Sequence, residues 1–499
     1  MNFSRVQPAR KKSLLPLAVP LLALSAAVLT ACGGSSVDTL QAPVAQAPVS
    51  CTVDTAVPNS YEEGRLVNKL LETDEQSFSQ RILQASGFDR FGPEFAQQLC
   101  KDGISGAANY DAAMALMKTA GTALWTAALD RVQGRKVEGT LPQGDDRMLY
   151  WARLTMTQAL RQWKPDFDMT TEQRDALQNE LERASRGQFA IDFPAGQNYR
   201  RILVSGFDPF TLGTPGVNNN PNIRIGNPSG AIALALNGKT LTLDDGSTAV
   251  IQTYLLPVNY PPFLQGQQED TLGPWFQPGP KRLDASVSIS QGRFDFDLEH
   301  FNGRYQLATI PGNDNIFPDC RAAGGYPSEL DCDIYPPARW YGQETRPWVK
   351  ETPPQFTEST LPFQALIDAN TGEGIINPDN KRTTGFKVKL NDDYSLQSCS
   401  KGSAGPYERN CALSGGGGNY LSNASAYRNT LMRDAFGLNI PAGHIHTPIM
   451  TRFSSDSDDL ITDATFESYR DSIVSQGSNI IFALAKTLSK TAAAPSSAP

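Results

Sequence analysis

From residue 198 onward, short apolar runs alternate with helical segments, and this pattern restricts the fold more than any other feature. Residues 201–204 form a β run that ends in a Ser-Gly turn, and the β runs that follow are 249–258, 386–390 and 442–448, with the apolar segment 479–488 completing the alternation. Asp-Gly at 245–246 indicates a hairpin before the second run. The pattern predicts an α/β fold, a three-layer α/β/α sandwich around a mixed, mostly parallel sheet, which binds ligands at the carboxyl ends of its strands.

The preceding region has helical patterns instead. Residues 110–132 are rich in Ala, Leu and Met without a proline, and residues 150–163 space large apolar side chains at helical intervals. The segment that begins at Thr171 has the pattern of a capped helix start. We predict a helical N-terminal domain at 51–195, an α/β domain at 196–488, and a disordered Ala/Pro/Ser tail at 489–499.

The first residues have the pattern of an export signal. A basic stretch precedes an apolar run at 14–29, and the segment ends in Leu-Thr-Ala-Cys, which resembles a bacterial lipobox. We therefore expect a signal peptide at 1–31, a lipid on Cys32 and a flexible tether at 32–50. The protein would then be an exported lipoprotein on the periplasmic side, anchored in the outer membrane. A plain signal peptide or a single membrane helix are the alternatives, but the apolar run is short and broken by prolines.

Cysteine usage agrees with export. Without Cys32, six of the seven cysteines remain. They group along the chain as three neighbouring pairs: Cys51 with Cys100, Cys320 with Cys332, and Cys399 with Cys411. We expect disulfides in that pairing, because an even number of cysteines in an oxidising compartment favours them. Metal binding is less favoured, since no Cys-x-x-Cys occurs and the chain has three histidines. No metal and no cofactor are predicted.

The net charge of the chain bears on the class of partner that it can bind. The net charge is −8, and no cluster of Lys and Arg follows the first twelve residues. Binding to nucleic acid needs such clusters to neutralise phosphates, so we expect no nucleic-acid partner.

Any imidazole base must be His300, His444 or His446. The last two lie in the segment Ala-Gly-His-Ile-His-Thr-Pro, and in a strand they would face the same side. A metal pair, or hydrogen-bonded polar residues at a strand edge, are the alternatives.

A glycine run at 415–418 precedes Ser422 and Asn423. Glycines that lead into a helix expose backbone N–H groups, which can hold an oxyanion and raise the reactivity of a nearby hydroxyl. Alternatively, Ser422 or Asn423 merely caps a helix at 424–436.

Seven short motifs follow one another between residues 199 and 488: V-S-G-F-D-P-F at 204–210, N-P-S at 227–229, L-P-V at 256–258, G-R at 292–293 followed by Glu299, S-T-L-P at 359–362, the glycine-containing run at 414–423, and A-G-H-I-H-T-P at 442–448. In sequence and in order, these motifs resemble those of the cysteine-type pyroglutamyl peptidases. The last match favours His446 over His444, because the family has phenylalanine at position 444.

The resemblance implies a set of roles. Glu299 would orient His446, and His446 would deprotonate the nucleophile at position 422. The substrate would be a peptide or small acyl amide with an N-terminal pyroglutamyl group. Phe207 and Phe210 would line the slot for its flat ring, although ordinary core packing is the alternative for both.

This sequence departs from the family at three places. Ser422 replaces the nucleophilic cysteine, and Thr309 stands where the family has an arginine. The stretch before G-R is Ser288-Ile-Ser-Gln291, which lacks the family's glycine-bearing pattern. Cys411 could supply a thiol, but it lies eleven positions upstream and its expected partner is Cys399.

Three hypotheses follow. The protein is a hydrolase that uses Ser422, His446 and Glu299, an inactive relative that binds a peptide or envelope component in the same pocket, or a tethered scaffold whose helical domain has the main role. Labelling of Ser422 by a serine-directed reagent separates the first from the others.

Overall fold

The computed structural model describes residues 50–306, 310–318, 354–398 and 410–489. The expected signal peptide, Cys32 and the tether up to residue 49 lie outside the described residues, as do residues 490–499. Cys320, Cys332, Cys399 and the side chain of Cys411 lie outside them too. In the part of the chain that is described, no helix is long and apolar enough to cross a membrane.

The helices are α1 (Phe78–Ser86), α2 (Phe91–Leu99), α3 (Tyr110–Val132), α4 (Arg147–Gln162), α5 (Thr171–Ser185), α6 (Pro228–Leu236), α7 (Tyr260–Leu264), α8 (Gln267–Phe276), α9 (Phe363–Asp368), α10 (Leu421–Ala435) and α11 (Ala464–Thr487). Short 3₁₀ helices span Glu63–Val67 and Pro221–Arg224.

The strands are β1 (Thr52–Val53), β2 (Cys100–Lys101), β3 (Ile104–Ser105), β4 (Trp163–Lys164), β5 (Tyr199–Phe207), β6 (Thr240–Thr242), β7 (Thr248–Leu256), β8 (Ala285–Gln291), β9 (Phe296–Glu299), β10 (Phe301–Gly303), β11 (Phe356–Glu358), β12 (Val388–Asn391), β13 (Ser395–Ser398), β14 (Asn410–Ser414) and β15 (Ala442–Thr447).

The region before residue 196 is helical, as predicted. Helix α3 has the predicted bounds, and α5 begins with a capping box between Thr170 and Gln173. These helices enclose a core with three fully buried tryptophans, Trp125, Trp151 and Trp163. A disulfide joins Cys51 to Cys100, which is the first of the three expected pairs.

The α/β fold class is confirmed. The main sheet has the strand order β12-β9-β15-β8-β5-β7-β6, with β9 and β6 antiparallel to a neighbour and the other pairings parallel. Alternate residues of β5 enter two cores. Ile202 and Val204 pack with α6 and α11, while Leu203 packs with α8 and α10. Helices therefore cover both faces of the sheet, which gives three layers.

Local details differ from the sequence pattern in two places. The run expected at 386–390 enters the sheet only from Val388, because Phe386 instead holds Gln476 of α11 through backbone hydrogen bonds of 2.7 and 2.6 Å. The segment 479–488 belongs almost entirely to helix α11, and its buried residues Ile480, Ile481 and Leu484 follow a helical spacing. The hairpin at 245–246 joins β6 to β7, as predicted.

The helical region shares its core with the α/β region. The core around α1 to α5 also contains Leu212, Ile223, Ile225 and Leu255, together with Ala233 and Leu234 of α6. The described residues from 50 onward consequently belong to one compact unit.

Candidate active site

The candidate site lies where three adjacent parallel strands end. Phe207 ends β5, Gln291 ends β8, and His446 is the last residue but one of β15. Because β15, β8 and β5 are parallel neighbours, their carboxyl ends meet at one edge of the sheet.

A small pocket opens at this edge. Its lining residues are Phe207, Phe210, Asn227, Val258, Ser290, Gln291, Tyr420, Leu421 and Ser422. The structure thus brings Ser422 together with both predicted slot residues. The space measures about 20 Å³, room for about one water molecule.

Glu299 and His446 are in direct contact. The Nδ1 atom of His446 lies 2.8 Å from Oε1 of Glu299. The Glu299 side chain is fully buried, and that of His446 is 11% exposed. In the register of β15 and β8, His446 is paired with Ser290 of the pocket wall. A carboxylate on Nδ1 fixes the ring tautomer, so that Nε2 can accept a proton beside the pocket.

The other carboxylate oxygen of Glu299 is held by the edge strand β12. Nδ2 of Asn391 donates to Oε2 at 3.0 Å and also lies 3.3 Å from the carbonyl oxygen of Gly416. Asn391 therefore links the acid to the glycine run. Sequence reasoning missed Asn391, since it lies 92 positions from Glu299 and carries no local signal.

The glycine run forms a tight turn against this carboxylate. Gly415 and Gly418 exchange backbone hydrogen bonds of 3.0 Å in both directions. A Cβ atom on Gly416 would lie 1.8 Å from Oε2 of Glu299. Glycine is therefore required at 416 by the close approach of the acid.

Helix α10 begins at Leu421, with Tyr420 as N-cap and no capping side chain. The alternative that Ser422 or Asn423 caps a helix at 424–436 is therefore wrong. Asn423 instead braces the strand β10, with Oδ1 accepting from the Gly303 N–H at 2.8 Å and Nδ2 donating to the Gly303 carbonyl at 2.7 Å.

Ser422 is half-buried in the first turn of α10. Backbone N–H groups in a first helical turn lack intrahelical acceptors and carry a partial positive charge. Among the described residues, the Ser422 hydroxyl forms no hydrogen bond with His446, and the Ser422 carbonyl accepts from Ser425 Oγ at 2.8 Å. The serine and the histidine thus border the same sheet edge without a hydrogen bond between their side chains.

The other two histidines have different surroundings. His444 is fully buried between Ser288 and Ser290, and its ring centre lies 4.9 Å from that of His446. Burial, and then the neighbouring His446, lower the pKa of His444 well below its usual value. His300 lies apart and contacts Asp392 at 2.8 Å. In the described parts of the chain, no three His, Cys, Asp or Glu side chains are placed to hold a metal ion.

A contact from the helical region, which no sequence pattern indicated, also reaches the site. Asp208 lies between the two slot phenylalanines in the chain and is buried. Its Oδ2 is 2.6 Å from Arg153 of α4 and 2.9 Å from Arg186, which follows α5. Thr309, the position of the family's arginine, lies outside the described residues.

Comparison with known proteins gives matches over both regions. The family described as PA0049 N-terminal domain matches residues 42–182, and the family described as PA0049, C-terminal domain matches residues 201–404 and 396–451. The uncharacterized protein PA0049 of Pseudomonas aeruginosa is 41% identical over 541 aligned residues, which cover 95% of this chain and 97% of that protein.

Solved structures of pyrrolidone carboxyl peptidase from Pyrococcus furiosus are also similar. A single-substitution mutant of that enzyme is 18% identical, covers 58% of this chain and 100% of its own, and has a TM-score of 0.33. Another structure of the same enzyme is 17% identical, covers 57% and 99%, and has a TM-score of 0.31.

Proposed function

The chain belongs to the PA0049 family, and on that premise we propose that its α/β region is a serine hydrolase acting on an N-terminal acyl amide. The observation that carries the proposal is the buried 2.8 Å contact between Glu299 and His446, next to the pocket that Ser422 lines. Packing alone does not require a buried carboxylate on an imidazole whose strand neighbour, Ser290, lines a pocket.

In the proposed reaction, Ser422 Oγ attacks the acyl carbonyl while Nε2 of His446 takes its proton. Glu299 stabilises the imidazolium that forms. The carbonyl oxygen becomes an oxyanion, and the first-turn N–H groups of α10 stabilise it. His446 then returns the proton to the leaving amine, and water releases the acyl group by the same steps. Ser422 must rotate toward His446 for the first step.

The motif matches around Phe207 and Phe210 favour a pyroglutamyl group or a related flat ring as the acyl part. Both rings line the pocket with Ser422. Because the pocket is small, we expect the ligand to widen it, with the half-buried Phe210 and Tyr420 moving aside.

A fluorophosphonate probe tests the nucleophile. We expect the full-length mature protein to be labelled at Ser422, located by peptide mass spectrometry, and Ser422→Ala to abolish labelling. Ser414→Ala is the matched control, because Ser414 lies at the other end of the glycine run and contacts Ser395. Absence of labelling together with absence of pyroglutamyl amide hydrolysis would reject a serine hydrolase.

Ser422→Cys tests the geometry separately from the nucleophile. A thiol is far more acidic than a hydroxyl and is readily activated by an adjacent histidine. We expect this variant to hydrolyse a chromogenic pyroglutamyl amide. Absence of hydrolysis would show that the pocket binds a different ligand.

A binding protein without catalysis is the second candidate. The observation that favours it is the Ser422 hydroxyl, which forms no hydrogen bond with His446 among the described residues. In this case the protein would bind a peptide or envelope component, and neither labelling nor turnover would occur.

We further propose export as a lipoprotein anchored through Cys32, with Cys320–Cys332 and Cys399–Cys411 as additional disulfides. The Leu-Thr-Ala-Cys segment supports the anchor. The Cys51–Cys100 disulfide supports an oxidising compartment. Globomycin treatment of cells that make the protein tests the anchor, because it blocks removal of a lipoprotein signal peptide, and a Cys32→Ser chain should not respond.

A further inference from the structure

A buried histidine that the proposed reaction does not use lies directly behind the pocket. His444 Nδ1 is 2.7 Å from Ser288 Oγ, and Nε2 is 2.8 Å from Ser290 Oγ. Ser288 Oγ also donates to the carbonyl oxygen of Gly443 at 3.4 Å. Ser290 in turn lines the pocket beside Ser422.

The protons of this group can be assigned. A histidine that is buried without a carboxylate partner is neutral and carries one N–H. The lowered pKa of His444 is consistent with this neutral form. If Ser288 donates to Gly443, its contact with Nδ1 must use the proton on Nδ1. Nε2 is then unprotonated, so the contact with Ser290 must use the Ser290 hydroxyl proton. This is the arrangement that gives all three contacts a hydrogen.

With these proton positions, the Ser290 hydroxyl presents an acceptor to the pocket. The hydroxyl proton of Ser290 points at His444, away from the ligand, and the free lone pairs of Oγ remain as acceptors. The surrounding wall includes Phe207, Phe210, Val258 and Leu421, whose side chains offer no hydrogen-bond partner. Three of the polar lining residues already have partners: Asn227 Oδ1 accepts from Ser229, Gln291 Oε1 accepts from the Met450 N–H, and the Tyr420 hydroxyl donates to the Pro311 carbonyl. A ligand N–H placed against Ser290 Oγ would therefore pair with it.

We infer that Ser290 is a specificity-determining residue whose Oγ accepts a hydrogen bond from an N–H group of the bound acyl ring, and that His444 and Ser288 hold it in that polarity. The inference rests on the proposed function for the location of the ligand. It adds the residue that selects a ring with an N–H donor over a ring with an ether or ester oxygen at that position.

Two ring amides that differ in one atom test it by calorimetric binding to the full-length mature protein carrying Ser422→Ala, in which the proposed hydrolysis of either amide cannot run. Pyroglutamamide carries the ring N–H, and 5-oxotetrahydrofuran-2-carboxamide has oxygen there. We expect this protein to bind the lactam about tenfold more tightly, because a ligand oxygen facing Ser290 Oγ leaves both oxygens without a hydrogen. Equal affinities, or no binding of the lactam, would overturn the inference.

Variants separate the roles. Ser290→Ala should remove the preference, whereas Ser290→Thr should retain it because the hydroxyl remains. Ser288→Ala should also abolish the preference, since the His444 proton can then move to Nε2 and free the Ser290 hydroxyl to donate into the pocket. A merely structural role for Ser288 would lower both affinities alike. Persistence of the preference in Ser290→Ala would contradict the assignment.

Ser286→Ala is the matched control on the same strand. Ser286 contacts Asn429 at 2.6 Å and is absent from the pocket lining, so the lactam preference should be unchanged. Because binding is measured in the Ser422→Ala protein, where the nucleophile is absent, a missing fluorophosphonate label on the wild type would reject the serine hydrolase while leaving the N–H preference intact.

Discussion

At the scale of single residues, the candidate site depends on how firmly Glu299 is held. One oxygen contacts His446 and the other accepts from Asn391, while the side chain is closed off from water. Such a carboxylate keeps the imidazole in one tautomer and stabilises its protonated form.

Glu299→Gln should therefore lower kcat for a pyroglutamyl amide by about 10²- to 10⁴-fold, with little change in KM. The amide keeps the shape but cannot stabilise an imidazolium. The measurement is steady-state kinetics of the purified mature protein, or the rate of fluorophosphonate labelling.

Asp295→Asn is the matched control, since Asp295 directly precedes β9 and pairs with Lys389 at 3.3 Å. We expect it to retain activity within a few-fold. An equal loss in both variants would contradict a specific role for Glu299.

The residue scale also shows what could be predicted from the sequence. The order of the motifs placed Glu299, His446 and Ser422 in one site, and the structure brings their elements to one sheet edge. Asn391 and the Ser288–His444–Ser290 group were not predicted as site residues, because their contacts span 92 and about 155 positions. A sequence pattern reports only the spacing of residues that are close along the chain. Contacts between distant residues depend on the order of the strands in the sheet, which the pattern does not report.

At the scale of elements, the turn at 415–418 connects the acid to the helix that carries Ser422. The Gly416 N–H donates to the Phe301 carbonyl at 2.8 Å, and its Cα faces the Glu299 carboxylate. The turn thus packs on the strand end that holds the acid, so a change in the turn should alter the acid as well.

Gly416→Ala should move Glu299 or the turn, because the added Cβ would lie 1.8 Å from Oε2. We expect a loss of about 1–3 kcal/mol in the free energy of unfolding and slower labelling of Ser422. Urea denaturation and labelling kinetics are the measurements.

Gly417→Ala is the control one position away, where the nearest atoms would be 3.4 Å from the new Cβ. That is ordinary van der Waals contact, so stability should change little. Similar losses in the two variants would show that the turn needs glycine for its backbone and not for the acid.

Elements that depend on local pattern were the most predictable. Helix α3 has the predicted bounds because a long proline-free run fixes them. The start of α10 was placed three residues late, since Ser422 and Asn423 are good caps in general. Here the Asn423 side chain hydrogen-bonds to Gly303 instead, and the helix begins at Leu421 after an N-cap, Tyr420, whose side chain forms no capping hydrogen bond.

At the scale of the whole molecule, the helical region supports the pocket through charges. Arg153 and Arg186 both contact the buried Asp208. In the chain, Asp208 lies between the two slot phenylalanines, directly after Phe207 and two positions before Phe210. The sequence predicted a helical domain without chemistry, and its arginines nevertheless reach the loop of the slot. The boundary near residue 195 stays a prediction.

Arg153→Met should lower the free energy of unfolding by about 3 kcal/mol, because it removes one partner of a buried charged group. It should also weaken lactam binding, since the loop that carries both slot phenylalanines loses an anchor. Urea denaturation and calorimetry measure the two effects.

Arg174→Met is the control, because Arg174 donates to the carbonyl oxygens of Leu160 and Trp163, within the helical region. It should cost stability without weakening lactam binding. If both variants leave binding unchanged, the helical region does not support the pocket.

A second buried carboxylate at the junction of the two regions makes stability depend on pH. Asp146 precedes α4, is 5% exposed, and would lie 3.4 Å from a Cβ on Gly230 of α6. Burial, and then the charge of Asp145, raise the pKa of Asp146 to about 7. The folded state therefore binds a proton that the unfolded chain releases near its usual pKa of 3.8.

This difference in pKa between the folded and unfolded states determines the direction in which stability changes with pH. Between about pH 4 and 7 the folded state holds more protons, so this contribution to stability is present below that window and is lost as the pH rises through it. Asp146→Asn resembles the protonated acid at every pH. We expect the variant to match the wild type at pH 4 and to be about 1–3 kcal/mol more stable at pH 8.

Urea denaturation at both pH values measures the effect, and Asp145→Asn gives the contrast. Although burial opposes it, ion pairing with Arg147 lowers the pKa of Asp145. Its removal leaves the buried Arg147 without the carboxylate that lies 2.6 Å away, so this variant should lose stability at pH 8. If Asp146→Asn also lost stability at pH 8, the charge of Asp146 would stabilise the folded protein, its pKa would not be raised, and the junction would depend on that charge as it does on the charge of Asp145.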